Sequence, residues 1–198
     1  MLKRLFDAGV SFLGFLAISP FLALISLLIK LDSKGPVFYR GVRVGRKGKL
    51  FKIYKFRTMV ADADRIGGSS TPEDDPRVTR IGGMLRKFKL DELPQLLNVL
   101  EGDMSFVGPR PEVSFYVNMF KEEEKVILNV KPGITDWASL WNSNEGAVLA
   151  GSSDPEKIYM EKIRPEKIKL QLKYIKEQSF SVDLKIIFLT LRKIVFRI

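Results

Sequence analysis

Between Asp7 and Lys30 the chain carries no charge: AGVSFLGFLAISPFLALISLLI, Ala8 to Ile29. A helical run of about 20 apolar residues matches the hydrocarbon core of a bilayer. This one exceeds the roughly 7–15 residues of a signal-peptide core, and the following IKLDSKG has no small-x-small cleavage site. It lacks the polar face of a surface helix in a soluble domain. The sequence predicts membrane insertion.

The mode of insertion is constrained by charge. Lys3 and Arg4 precede the run, and Lys30, Lys34, Arg40, Arg43, Arg46, Lys47 and Lys49 follow it. Basic flanks favour the cytoplasmic side, so both ends ask for the same side. Ser19-Pro20 stands at mid-depth. Proline removes a backbone donor and kinks a helix, and a neighbouring serine hydroxyl satisfies the freed carbonyl. The expectation is a helix that enters and turns back, with a straight kinked span as the alternative.

The 198 residues suffice for one domain plus attachments, and 33 Lys+Arg against 23 Asp+Glu give a net charge of +10. Nucleic acid, anionic headgroups or a phosphate-rich substrate would each suit that balance. There is no histidine and no cysteine. Disulfides, thiolate metal sites, histidine bases and cysteine nucleophiles are all excluded. Any chemistry must run on carboxylates, lysines, tyrosines, hydroxyls or a bound metal.

After the apolar run, turns and short strands are expected. Gly45 to Lys49 makes a turn, and Leu50 to Phe56 alternates apolar with basic residues, a basic hairpin. VADADRI reads as a short helix and GGSSTPEDDPR, Gly67 to Arg77, as a mobile loop. Leu93, Leu96, Leu97 and Leu100 form one stripe of a helix ending near Gly102. Val113 to Val130 reads as an amphipathic helix with Glu122 to Glu124 on its solvated face. Lys131-Pro132-Gly133 then leads into a loop region holding Trp137 and Trp141. Helical periodicity resumes at DPEKIYMEKIRPEKIKLQLKYIKEQ, with a break at Pro165. Near the C-terminus Leu184, Ile187, Phe188, Leu191, Ile194, Val195 and Ile198 share one face, with Lys185, Arg192, Lys193 and Arg197 elsewhere. In a soluble protein that would be a core helix; beside a membrane insertion it is read as an interfacial helix, or a helix packed beside the insertion.

The segment KLDELPQLLNVLEGDMSFVGPRPE, Lys89 to Glu112, concentrates the candidate chemistry. Asp91 suits an N-cap, Glu92 a first turn, and Pro94 is tolerated there. A cap and a reactive pair are both open readings. Arg77, Arg80, Arg86, Lys87 and Lys89 lie just upstream, more cation than two acids need. In GPRPE, Pro109 and Pro111 stiffen the chain around Arg110, whose fork reads phosphate or carboxylate. Its local alternatives are Glu101, Asp103 and Glu112. An aspartate can attack phosphorus and divide one transfer into two steps. Nearby cations would keep Asp91 ionised. Arginines and magnesium, which binds through few carboxylates plus phosphate oxygens, would offset charge.

Over nearly its whole length the chain resembles the bacterial sugar transferase family, the monotopic phosphoglycosyl transferases. The resemblance rests on RLFDAGVSFLGFLAISPFLALISLLIKLDSKGPVFYR, FKIYKFRTM, DDPRVTRIG, LRKFKLDELPQLLNVLEGDMSFVGPRPE, VKPGIT and SFSVDLKIIFLTL. It implies transfer of a phosphosugar from a UDP-sugar to polyprenyl (undecaprenyl) phosphate with release of UMP. That is the first membrane step of bacterial surface-glycan assembly, such as exopolysaccharide or capsule, or of glycoconjugate assembly. It implies Mg2+ as cofactor, Asp91 as nucleophile forming a covalent phosphosugar intermediate, and Glu92 as its partner near the metal or in proton transfer. Arg110 matches the phosphate-contacting arginine. Arg86, Lys55 and Arg57 complete the expected phosphate-binding set, the last two within the FKIYKFRTM motif. Ser19-Pro20 matches the kink of a re-entrant helix that keeps the catalytic domain on the cytoplasmic face of the inner membrane.

The expected fold is α+β and mainly helical: a re-entrant membrane helix (1–31), a small cytoplasmic catalytic domain with short strands (32–178), and a basic amphipathic interfacial helix (179–198). The resemblance is to the minimal catalytic form, without an added multi-span domain. Its partners would be the two substrates and the cytoplasmic leaflet, with no nucleic acid and with room for a homo-oligomer. One stretch departs from the family pattern: KPGIT continues as DWASLWNSNEG rather than Gly-Trp-Ala-Gln-Val-Asn, so Asp136, Leu140 and Trp141 leave the donor sugar open. Two other functions fit the composition: a membrane-tethered basic module that binds nucleic acid or anionic lipid, and a magnesium-dependent phosphatase or pyrophosphatase.

Overall fold

A computed structural model describes residues 2–63 and 71–196. Its first element is the helix α1 (Leu2–Asp32), continuous through Pro20. Pro20 cannot bond the carbonyl four residues back, and the Ser19 hydroxyl donates to that Leu16 carbonyl at 2.9 Å. One stripe of α1 is buried, through Asp7, Ser11, Leu22, Ile25 and Ile29. Leu13, Leu16, Phe21, Leu24 and Leu27 are exposed. The helix is long and apolar enough to cross a membrane, yet only 17% of its most apolar stretch is buried. A core helix would be buried far more completely, so its apolar surface is left for another medium.

Both ends of α1 are fastened to the same folded body. At the start, Lys3 Nζ donates to Asp183 at 2.6 Å, to the Val107 carbonyl at 2.8 Å and to the Tyr174 hydroxyl at 3.0 Å. Arg4 donates to the carbonyls of Val99 and Leu100. At the other end Leu22, Ile25 and Ile29 pack with Phe56 and Leu85. Asp32 there accepts from the Ile81 amide at 3.1 Å.

The strands are short. β1 (Phe38–Tyr39), β2 (Val42–Val44), β3 (Leu50–Lys52) and β4 (Lys55–Phe56) form two antiparallel pairs, β1 with β4 and β2 with β3. The second pair is the expected basic hairpin, in register Val42 to Lys52. β5 (Ser105–Val107) and β6 (Gly133–Thr135) run parallel. Phe51, Ile53, Val99 and Met104 close the core beneath them.

Helices fill the rest: α2 (Arg80–Lys87), α3 (Gln95–Glu101), α4 (Ser114–Val117), α5 (Trp137–Trp141), α6 (Glu145–Leu149), α7 (Pro155–Ile158), α8 (Arg164–Glu177) and α9 (Phe180–Phe196). The expectation of a mainly helical chain with short strands holds. The expected C-terminal helix is α9, with Phe188, Leu191 and Val195 exposed on it. Helical periodicity from Asp154 is also met, but the interruption is a π turn at Tyr159–Ile163, and Pro165 sits in the first turn of α8, where it costs little.

Two expectations change. The helix over Val113 to Val130 is broken after α4 and restarts as a 3-10 segment at Glu122–Asn129. Glu124 is the reason: it is buried rather than solvated, accepting from the Lys121 amide at 3.0 Å and pairing with Arg164 at 3.4 Å. The tryptophan region is helical, not a loop, because Asp136 caps α5 by accepting from the Ser139 amide at 2.7 Å. Val60 to Ala63 of VADADRI are described, a turn at Ala61–Asp62 with the first helical residue at Ala63; its last three residues and the Gly67–Ser70 end of the expected mobile loop lie outside the described residues. The remainder, residues 71–77, is held by Glu73 on Gly146 and by Arg77 on Asp75 at 2.7 Å.

Candidate active site

The LDELP segment does not start a helix with an aspartate cap. α2 ends at Lys87, and Lys89 takes a left-handed conformation (φ 57°, ψ 21°), sparsely populated for a residue with a side chain. A single 3-10 turn, Leu90–Glu92, follows, and α3 begins only at Gln95 after Pro94. Neither Asp91 nor Pro94 provides a side-chain cap to α3, so the capping reading of Asp91 is corrected. The pair sits on the tight corner between two helices.

α2 itself is pressed against the strand end after β4. A Cβ on Gly82 would lie 2.0 Å from the Thr58 carbonyl, so only glycine allows this approach. It brings Arg86 Nε to the Thr58 hydroxyl at 2.8 Å. β4 delivers Lys55 through its pairing with Tyr39. From the opposite side, β5 and β6 converge at Gly108, where an added Cβ would meet the Lys131 carbonyl at 2.4 Å. The proline bracket then carries Arg110, whose amide donates to Asp136 at 3.3 Å.

These elements meet at Glu92. Arg110 donates through both guanidinium arms, Nη1 to Oε2 at 3.2 Å and Nη2 to Oε1, and Lys55 Nζ reaches Oε1 at 2.9 Å. Arg110 therefore takes none of its local alternatives. Glu101 faces Tyr54, and Glu112 is paired with Lys167 at 2.5 Å. Burial alone would raise the Glu92 pKa, but Arg110 and Lys55 hold it well below the ordinary carboxylate value. Glu92 in turn raises the Arg110 pKa.

Asp91 is placed differently. It is 8% exposed, and among the described residues nothing donates a hydrogen bond to its carboxylate. Burial raises its pKa, and the Glu92 charge adds to the rise, over the opposing pull of Lys55, Lys89 and Arg86. The cations expected to keep Asp91 ionised do pull its pKa down, and desolvation outweighs that pull. Two adjacent carboxylates are thus driven apart, Glu92 clamped by cations and shifted down, Asp91 desolvated and shifted up.

Lys89 and Arg86 have pKa values lowered by their own burial. With Lys55 and Arg110 they set four cations around two carboxylates, an excess that suits a diphosphate. Lys89 was among the upstream cations in the sequence, but only its left-handed backbone turns it into the site. Arg57 does not join. Its guanidinium donates to the carbonyls of Ser33 (2.8 Å), Lys34 (2.8 Å) and Pro36 (2.6 Å), closing the end of α1. Ser19 and Pro20 stay within α1, with no hydrogen bond to the pair among the described residues. Sequence reasoning missed the wall behind Arg110, where Lys167 and the Tyr159 hydroxyl both engage Glu112. Only the position of Glu112 after the bracket hinted at it.

The donor set bears on a metal. No group of three or more Asp or Glu side chains able to hold an ion is found among the described residues. Magnesium needs only one or two carboxylates when phosphate oxygens complete its shell. Asp91, buried and without a hydrogen-bond donor, fits that demand. The oxygens of Glu92 are taken by Arg110 and Lys55.

Comparison with known proteins gives this geometry its context. The family model for bacterial sugar transferases matches residues 1–197. The undecaprenyl-phosphate glucose phosphotransferase of Komagataeibacter xylinus is 40% identical over 98% of this chain and 36% of its own length. The UDP-glucose:undecaprenyl-phosphate glucose-1-phosphate transferase of Escherichia coli (strain K12) is 42% identical over 98% of this chain and 40% of its own. A UDP-N-acetylgalactosamine-undecaprenyl-phosphate N-acetylgalactosaminephosphotransferase of Aeromonas hydrophila is 37% identical over 98% of this chain and 43% of its own. The chain therefore spans about two fifths of the length of these relatives. With the match running along nearly every residue, the chain belongs to the bacterial sugar transferase family.

Proposed function

We propose that the chain transfers a sugar-1-phosphate from a UDP-sugar to undecaprenyl phosphate in two steps, the first on Asp91. One observation carries the reading: a buried carboxylate without a hydrogen-bond donor, set among four cations beside a clamped partner. A carboxylate oxygen of Asp91 attacks the phosphorus that bears the sugar. The bond to the UMP oxygen breaks, and UMP departs with that electron pair. An oxygen of polyprenyl phosphate then attacks the same phosphorus and returns Asp91 as carboxylate. Neither step needs a histidine, since both leaving groups are anions that depart without a proton.

The other residues hold charge and position. Arg110 and Lys55, now on Glu92, are the donors that an incoming diphosphate would share. Glu92 keeps both oriented, and Arg86 and Lys89 offset charge beside Asp91. Bound Mg2+ would supply further charge neutralisation on the phosphates. Asp91 would hold it, and Glu92 would join only when substrate draws Arg110 or Lys55 away.

The reading also places the chain on a membrane. A full crossing would separate Lys3 from Asp183, Tyr174 and Val107, to which it is bonded. That closeness supports a helix entering and leaving on one face, and the basic flanks support the cytoplasmic face of the inner membrane. The exposed apolar faces of α1 and α9 are consistent with it.

The test is a panel of UDP-sugars with Mg2+ and no lipid acceptor. The expected result is stoichiometric UMP release with a sugar-phosphate adduct on Asp91, and the panel also identifies the donor. Wild-type turnover by Asp91→Asn would end the proposal. Release of inorganic phosphate would point instead to a hydrolase.

A further inference from the structure

Lined by none of the residues around the dyad, a cavity of about 460 Å³ opens between α5, α8 and α9. Trp137, Trp141, Leu140, Leu170 and Leu189 make its apolar wall. Lys173, Arg192 and Lys193 line it too, and no acidic side chain does. Two of the residues that depart from the family pattern, Leu140 and Trp141, belong to this wall. Nothing in the proposed transfer uses it.

The cations surround one indole. Lys173 and Lys185 stand 5.4 Å and 5.9 Å from the Trp137 ring centroid. The Trp137 indole N–H has no hydrogen-bond partner among the described residues. Lys193 is held by the Leu140 carbonyl at 2.6 Å, while Arg192 is exposed and makes no contact with an acid among the described residues. Lys173 has Glu177 at 3.9 Å, an exposed pair of little strength.

The neighbouring helix indicates what approaches. On α9, Phe188, Leu191 and Val195 form one exposed apolar stripe, each more than half exposed. Lys185, Leu189 and Arg192 follow the adjacent stripe, which leads into the cavity. An apolar face beside a basic flank is the arrangement of a helix lying in a lipid interface. With α9 lying in such an interface, the cavity would sit where headgroup phosphates end and acyl chains begin. Its tryptophans suit that boundary as well.

We propose that this cavity is a binding site for the headgroup of an anionic phospholipid, with the phosphate among Lys173, Arg192 and Lys193 and the first carbons against the leucines and indoles. The occupant must be both anionic and apolar. Free phosphate would leave most of the wall unused, and a neutral lipid would leave Arg192 without a counter-charge and Lys173 with only its weak pair to Glu177. This inference rests on the membrane reading of α1 and α9, and not on the chemistry assigned to Asp91.

The two tryptophans of the cavity are the only two in the chain, so intrinsic fluorescence reads the site directly. The full chain in neutral detergent micelles is titrated with short-chain phosphatidylglycerol, short-chain phosphatidylcholine, inorganic phosphate and polyprenyl phosphate. Phosphatidylglycerol is expected to give a saturable change in emission that phosphatidylcholine and inorganic phosphate do not. Arg192→Gln should weaken it about fivefold, and adding Lys173→Gln about fivefold again. Lys169→Gln, on the exposed surface of α8, should leave it unchanged. Asp91→Asn should bind as the wild type does, so a failure of the catalytic proposal leaves this result readable. An equal response to phosphatidylcholine, full binding by the double variant, or saturation by polyprenyl phosphate alone would overturn the assignment.

Discussion

Arg110 holds Glu92 with both arms of its guanidinium, at a separation of 18 residues, and Lys55 adds a third donor to the same carboxylate. The neighbouring Asp91 receives none. The corner made by Lys89 thus assigns two chemically similar side chains opposite electrostatic fates.

Opposite fates give opposite stability effects. The Glu92 pKa is depressed in the fold, so its contribution is present at neutral pH and is lost as pH falls through the folded value. Glu92→Gln leaves Arg110 and Lys55 without a counter-charge and should cost about 3 kcal/mol. The Asp91 pKa is raised, so its stabilising state is the protonated one, lost as pH rises through the folded value. Asp91→Asn should therefore stabilise the chain at neutral pH, by on the order of 1 kcal/mol, while lowering UMP release by about 10⁴-fold or more. Thermal unfolding of both variants at pH 7 checks the signs. A lower midpoint for Asp91→Asn would mean that its carboxylate is satisfied after all.

The same shift sets the pH profile. Attack requires the ionised form of Asp91, so UMP release should decline on the acid side at a pH above that of an ordinary aspartate. Lys89→Gln removes one charge that opposes the rise and should move this limb toward neutrality. Single-turnover rates across pH for the two proteins test it, and coincident profiles would remove Lys89 from the site.

Much of this arrangement was legible in the sequence, and the reasons for the gaps are physical. The uncharged run gave α1 because length and composition alone decide such a helix, and the periodicity of residues 184–195 gave α9 in the same way. Asp91, Glu92 and Arg110 were legible as residues but not as a geometry. Nothing local announces a left-handed lysine at Lys89, nor the close approach of Gly82 to Thr58 that seats α2 just before it. The broken helix after Val113 was hidden for a similar reason. Three consecutive glutamates look solvated, yet Glu124 is drawn inward by the Lys121 amide and Arg164, a partner 40 residues away. Local rules read runs and spacings, and both failures concern a partner brought in by tertiary packing.

Arg57 offers a test of a residue that changed roles. Its three bonds to the carbonyls of Ser33, Lys34 and Pro36 fasten the end of α1, and the side chain is nearly buried. Arg57→Gln should lower stability by about 3 kcal/mol, the value of losing charged hydrogen bonds at a buried site. UMP release per folded molecule should change little. A variant of full stability with a raised KM for the UDP-sugar would return Arg57 to the phosphate-binding set.

Arg110→Lys separates charge from shape. The lysine keeps the positive charge beside Glu92 but cannot make the two-pronged contact, and the proline bracket gives it no freedom to compensate. UMP release should fall by about 10²-fold, mainly in kcat, if the fork serves the departing phosphate. Equal activity of the lysine variant would reduce Arg110 to a source of charge.

The insertion of α1 is open to a direct chemical probe, since the chain has no cysteine to interfere. Leu2 is 64% exposed at the start of α1, one residue before the Lys3 contact with Asp183. If both ends of α1 stay on the face that carries the folded body, Leu2→Cys is protected from a membrane-impermeant maleimide in intact cells and reacts once the cytoplasmic side is opened. A second site, Lys34→Cys beyond the other end of α1, should show the same protection. Labelling of position 2 from outside, with position 34 protected, would establish a complete crossing. It would also require the Lys3 bonds to Val107, Tyr174 and Asp183 to be absent in the membrane.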